Sequence, residues 1–273
     1  MAARGTKFYV VILLVLISSI SLVMAENNDG RWNNPRDYEP VIIKGENFID
    51  FLQKPIKELY VYAFNASQNS WRPIPFQFDQ KDDSSHFWVP VPNDTLDLND
   101  ELVFMAKDMG DKAPDGTIWI NDLDSKNYNR VEIAANDSIN GTNSWIYLYR
   151  SKNVLPLASE SYVTYKTNSV NPAADTVLTQ NYVEGHNKGG VPDYWIFTKG
   201  NGIEILDRQK VQINMLLYGF IALTIREDLL ESYFQKINTK IGPVRLIRQV
   251  YWHIDVGMGI EPFDFSLPLK YYA

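Results

Sequence analysis

The sequence predicts an all-β protein: an antiparallel β-sandwich, built as one or two packed β-rich subdomains, with a single amphipathic helix at 226–238. Three observations predict it. Short apolar and aromatic runs recur every roughly eight to twelve residues. Each run is closed by Asn, Asp, Ser, Gly or Pro, the residues that favour turns. Helical periodicity is clear in one stretch alone, where Leu229, Leu230, Phe234 and Ile237 are spaced for one face and Glu227, Asp228, Glu231, Gln235 and Lys236 for the other.

In chain order, the first element is a leader. Arg4 and Lys7 precede an apolar run from Phe8 to Val23 that Ser18, Ser19 and Ser21 thin near its end, and Val23-Met24-Ala25 offers a small-residue exit. That pattern predicts a cleavable signal peptide over 1–25 and a secreted or cell-envelope protein. An uncleaved membrane anchor is the alternative, because the apolar run approaches the roughly 17 to 25 residues a spanning helix needs. Residues 26–40 are polar and proline-bearing and read as a flexible lead-in. A β-rich domain over 41–155 and a second over 156–273 follow, divided near the proline-bearing segments 151–159 and 169–174. The alternating run 263–273 has no closing turn, which suggests a chain truncated at its C-terminus.

Strands are expected at 58–64, 74–78, 86–91, 101–106, 117–120, 130–134, 145–149 and 161–167. A hairpin is expected from 193 to 206 around Lys199-Gly-Asn-Gly202, where glycine supplies positive φ. Runs at 210–217 and 220–226 continue the pattern. The longest apolar run in the mature chain, around Met215 to Ile225, is interrupted by Gly219 and reads as strand rather than membrane span.

Composition narrows the function classes. A net charge of −7 argues against a nucleic-acid partner, which needs a basic face. Cysteine is absent, so disulfides, thiolate zinc sites and thiol nucleophiles are excluded. The three histidines, His86, His186 and His253, show no metal-ligand spacing, and no Gly-x-Ser-x-Gly elbow is present.

Asp97, Asn99 and Glu101 place oxygen ligands at alternating positions, as a calcium loop does, although the EF-hand positions are not filled; a solvated turn uses the same residue types. His253 and Asp255 share a strand face, as a base and its orienting carboxylate would, or as a satisfied polar pair. His186 lies in what reads as a glycine-flanked loop, 184–190. Arg245 and Arg248, three apart in a strand, point to opposite faces, so at least one is directed inward, toward a carboxylate partner or an anion-binding cleft. Trp195, Trp252 and Tyr194 are flat aromatic faces that suit sugar rings as well as they suit a core. The expected function is binding of a polysaccharide or other cell-surface component outside the cell. A polysaccharide lyase or hydrolase and a calcium-stabilised adhesion domain are the alternatives.

Overall fold

The computed structural model describes residues 39–82, 93–137, 142–217, 219–255, 257 and 261–272. The leader, nearly all of the lead-in and the strand expected at 86–91 lie outside the described residues. Among those described, the chain is all-β, with five antiparallel sheets and one α-helix. No helix among them is long and apolar enough to cross a membrane. They divide into two units, one of residues 39–164, 238–248 and 268–272, the other of 165–237 and 249–267.

The first unit holds β1 (Pro40–Lys44), β2 (Leu59–Asn65), β3 (Ser70–Pro73), β4 (Phe76–Asp79), β5 (Glu101–Met105), β6 (Arg130–Asp137) and β7 (Thr142–Arg150). They form two sheets, ordered β1-β5-β4 and β3-β2-β7-β6. Alternation decides what lies between them. Leu59, Val61 and Ala63 of β2 and Ile146 and Leu148 of β7 meet Leu102 and Phe104 of β5 and Phe78 of β4 in one buried cluster.

The other residues of β2 and β7 are just as large and apolar, so the sheet's second face needs a cover too. Tyr60, Tyr62, Phe64, Tyr147 and Tyr149 are all buried there. The segment from Gly110 to Asp122 supplies the cover. Gly110 pairs with Trp145 and Asp111 with Phe64, the Ala113 amide donates to the Tyr147 hydroxyl at 2.8 Å, and Tyr149 donates to Asp122. Trp119 packs edge-on against Trp71, ring centres 4.2 Å apart. The sequence predicts a strand at 117–120, but the segment is irregular. Its Trp119 packs over Tyr147 and Tyr149 rather than joining a ladder.

β8 (Val163–Lys166) leads into the second unit, which continues with β9 (Thr176–Thr179), β10 (Tyr182–His186), β11 (Pro192–Phe197) and β12 (Ile203–Leu206), a five-stranded sheet in the order β12-β11-β10-β9-β8. β13 (Gln212–Leu217) and β14 (Ile221–Arg226) pair as a hairpin, so the long apolar run is strand, as its sequence predicts. Met215 and Ile225 from that hairpin join Leu230, Val250, Trp252 and Ile254 in a second core.

The helix is shorter than the sequence predicts: α1 spans Glu227–Tyr233, and Phe234 opens β15 (Phe234–Ile241). Phe234 and Ile237 have helical spacing, but β15 pairs with β16 (Arg245–Ile254), which pairs with β17 (Phe263–Tyr272). Ladder hydrogen bonds and core packing override the local period.

Candidate functional site

The site is assembled by the strands β9 to β12. Two tight connections set their register. At the first, the Thr179 hydroxyl accepts from the Asn181 and Tyr182 amides, both at 3.1 Å. At the second, Asn187 Oδ1 accepts from the Gly189 and Val191 amides at 2.9 and 3.1 Å, while Gly190 takes the left-handed conformation at φ +81°. The glycines after His186 therefore make a turn between strands. His186 itself ends β10 instead of sitting in the loop its neighbours predict. Gly185, directly before it, lies under the Tyr194 ring, where a side chain would meet the ring carbons at 2.1 Å.

Alternation along β10 places Tyr182, Glu184 and His186 on one face. His186 is held between two acids. Its Nδ1 is 2.7 Å from Asp175 Oδ1, its Nε2 is 3.4 Å from Glu184 Oε1, and the ring has no exposed surface. An ionised carboxylate only accepts, so Nδ1 donates to Asp175. The Tyr165 hydroxyl donates to the other oxygen of Asp175. The result is a buried chain, Tyr165–Asp175–His186–Glu184, that fixes the orientation of Glu184 from behind.

Glu184 stands directly across the ladder from Trp195 of β11. Side chains so paired share a face, with Cβ atoms about 5 Å apart. Trp195 is 37% exposed, and Tyr182 meets it nearly perpendicularly, ring centres 5.4 Å apart at 74°. Beyond Trp195, on the edge strand, Ile203 is 60% and Ile205 53% exposed. Val177, the β9 partner of Glu184, is buried. This face is thus covered over β9 and β10 and open across β11 and β12.

The remaining candidates are placed elsewhere. Tyr194, adjacent to Trp195, points to the opposite face, its hydroxyl 3.4 Å from that of Thr176. Trp252 is a core residue, 2% exposed, stacked on Phe265 and donating to the Gly189 carbonyl at 2.8 Å. His253 is exposed and its Nδ1 is 2.8 Å from Asp264, a residue of β17, whereas Asp255 accepts from the Gly257 amide. The sequence pairs His253 with Asp255; the structure pairs it across the sheet.

Arg245 and Arg248 are both fully buried. Arg245 donates from Nε to Asp79 and from Nη2 to Glu101, each at 2.6 Å, and from Nη1 to the Tyr272 hydroxyl at 3.0 Å. Lys240 reaches Asp79 at 3.1 Å and Lys81 pairs with Glu101. Gln77 accepts from the Val244 and Arg245 amides and donates to Asp79. Burial pushes the Glu101 carboxyl up, but the hydrogen bonds from Lys81 and Arg245 outweigh it and leave its pKa below the usual glutamate value. Glu101 is therefore committed to cations of the protein. Asp97 accepts from Gln53 Nε2 at 2.6 Å, and Asn99 donates to the Asp82 carbonyl. The calcium candidates Asp97, Asn99 and Glu101 thus turn to separate partners, and no group of three metal-ligating side chains converges among the described residues.

Sequence reasoning named His186 and Trp195 but missed Glu184, Asp175, Tyr165 and Tyr182. The signal available was the alternation Tyr182-Val-Glu-Gly-His186, which puts an aromatic, an acid and an imidazole on one side of a strand. The glycine after Glu184 obscured it. No protein-family model, curated protein or solved structure matches the chain.

Proposed function

We propose that the protein is an exported binding protein that holds an extracellular glycan or glycan-bearing surface component on the open face of β11 and β12. The observation that carries this reading is Trp195, 37% exposed on the part of the face that stays open, beside the exposed Ile203 and Ile205. An exposed indole stacks on the apolar face of a sugar ring. The Tyr182 ring, its centre 5.4 Å away, braces the indole, so little ordering cost is left to binding. The role is binding rather than catalysis, since the His186 imidazole has no exposed surface from which to move a proton to or from a ligand. Export rests on the leader pattern of residues 1–25.

A glycan array probed with the protein and with Trp195→Ala tests it. The expected outcome is retention of at least one glycan class by the parent and a loss of about tenfold or more in affinity for the variant, since a stacked aromatic anchor is worth about 2 kcal/mol. Absence of any retained glycan, or equal binding by Trp195→Ala, overturns the reading.

A further inference from the structure

The hairpin of β13 and β14 is a two-stranded sheet of its own, paired from Gln212↔Arg226 to Leu217↔Ile221. Alternation gives it two faces. One carries Ile213, Met215, Leu223 and Ile225, which join the core of the second unit, Met215 and Ile225 as buried members. The other face is turned to solvent, and its character changes along the ribbon. Near the base it is polar: Gln212 faces Arg226 and Asn214 faces Thr224, with the Thr224 hydroxyl and Gln212 Nε2 donating to Asn214 Oδ1 at 2.9 and 3.1 Å. One pair farther out it is apolar, Leu216 against Ala222, and the turn beyond carries Gly219 in the left-handed conformation at φ +78°, followed by Phe220. Leu216 is 57% and Phe220 78% exposed. No charged residue stands between Gln212 and Arg226 in the sequence, and Arg226 at the base is exposed.

A strand face left to water is expected to stay polar to its end. This one turns apolar toward its turn, so the tip is built for an apolar neighbour. Its extent decides which. Leu216, Ala222 and Phe220 together offer about 300 Å², well under the roughly 800 Å² that each partner gives to a stable protein interface. A lipid surface needs neither a minimum area nor a matching shape, because apolar groups gain in proportion to the area they remove from water. Two ladder steps and the turn reach about 7–10 Å, the depth at which interfacial elements bury their apolar face. At that depth the backbone edges of the ribbon still reach water and headgroups. An uncharged tip below an exposed arginine also follows the order of a bilayer, hydrocarbon first and anionic headgroups next. We infer that the β13–β14 tip dips to the headgroup–acyl boundary of a lipid bilayer and holds the protein against it, with Phe220 and Leu216 toward the acyl chains and Arg226 at the headgroups. This attachment is separate from the glycan-binding reading, which uses the face of β11 and β12.

The absence of cysteine makes the test site-specific. Ala222→Cys, which leaves Phe220 and Leu216 in place, and Gln212→Cys at the base each carry a single environment-sensitive dye on the full chain. Both are titrated with phosphatidylcholine–phosphatidylglycerol vesicles. The dye at 222 is expected to shift to the blue and to be quenched by lipids brominated on the acyl chain, and the dye at 212 to do neither. Phe220→Asp in the Ala222→Cys background is expected to raise the lipid concentration at half of the shift about tenfold or more, since burial of one phenylalanine side chain accounts for that much. Phe220 and Ala222 are exposed, so neither substitution opens the core. The apolar leader, where retained, brings protein to the vesicle but does not place a dye at 222 among acyl chains. No response at 222, an equal response at 212, or a titration unchanged by Phe220→Asp overturns the inference. So does a shift at 222 that follows protein concentration without vesicles, together with sedimentation as a dimer, which assigns the tip to a second copy of the chain.

Discussion

Both units bury a chain of charged and polar side chains, and the two are wired differently. In the first unit, Arg245 is joined to Asp79 and Glu101 across 166 and 144 positions of sequence. In the second, His186 meets Asp175 only 11 positions away and Glu184 two positions away on its own strand. The first network holds distant strands together, and no part of it is needed at the surface. The second is local, and it terminates at an acid beside an exposed tryptophan. Sequence separation of the partners thus distinguishes a polar network that fixes topology from one that aims a side chain.

If that contrast is right, the largest effect comes from breaking the long-range network. Arg245→Met removes the guanidinium and strands Asp79 and Glu101 in the interior, for a loss of about 3–5 kcal/mol in urea unfolding. A loss under about 1 kcal/mol means the acids find other partners and the network does not hold the topology. Next is His186→Leu, with an expected loss of about 1–3 kcal/mol from leaving two acids without their shared partner. If the open face binds a glycan, affinity is expected to fall with it, because His186 anchors the strand whose Tyr182 ring braces Trp195. Unchanged affinity in a folded variant breaks the link between the relay and the open face.

Acid sensitivity separates two acids of the first unit. The folded pKa of Glu101 lies below the usual value of 4.5, so the stability it contributes is complete above that value and is lost as pH falls through the depressed one. Asp108 has the opposite sign. Burial raises it above 3.8 despite the hydrogen bond from Tyr162, so its contribution is complete below that value and is lost as pH rises through the elevated one. Melting curves from pH 7 downward are expected to show Glu101→Gln losing less stability on acidification than the parent, and Asp108→Asn gaining relative to the parent at neutral pH. Parallel curves for parent and Glu101→Gln count against the assignment. The smallest stability effect is expected for Trp195→Ala, about 1 kcal/mol from the lost ring contact with Tyr182, against a large loss of binding.

Much of the fold was legible because alternation and turn chemistry are local. Leu59–Asn65 reads as a strand from its β-branched and aromatic run, and the 193–206 hairpin from its glycines. The failures have physical causes. The expected helix ran on through Phe234 and Ile237 because three-to-four spacing is blind to a ladder partner at 245–254. The expected strand at 117–120 is an irregular cover whose Trp119 answers to tyrosines on another segment. The site was less legible still. Trp195 and Trp252 look alike in sequence, and burial alone separates them. Of Arg245 and Arg248 the sequence expects at least one to face inward, toward an acid or an anion-binding cleft; both are buried, and that Arg245 meets Asp79 and Glu101 depends on folding over distances that no local pattern encodes.

The span between those acids and their arginine also sets an order of events. A chain made from its amino end presents Asp79 and Glu101 long before residue 245 exists, 144 positions after the nearer of the two. Until that strand arrives, closing the sheets over β4 and β5 would confine two carboxylates without their counter-charge, an arrangement costly enough to keep the early segments open. Completion of the first unit is thereby deferred until the strand at 245–254 has been made.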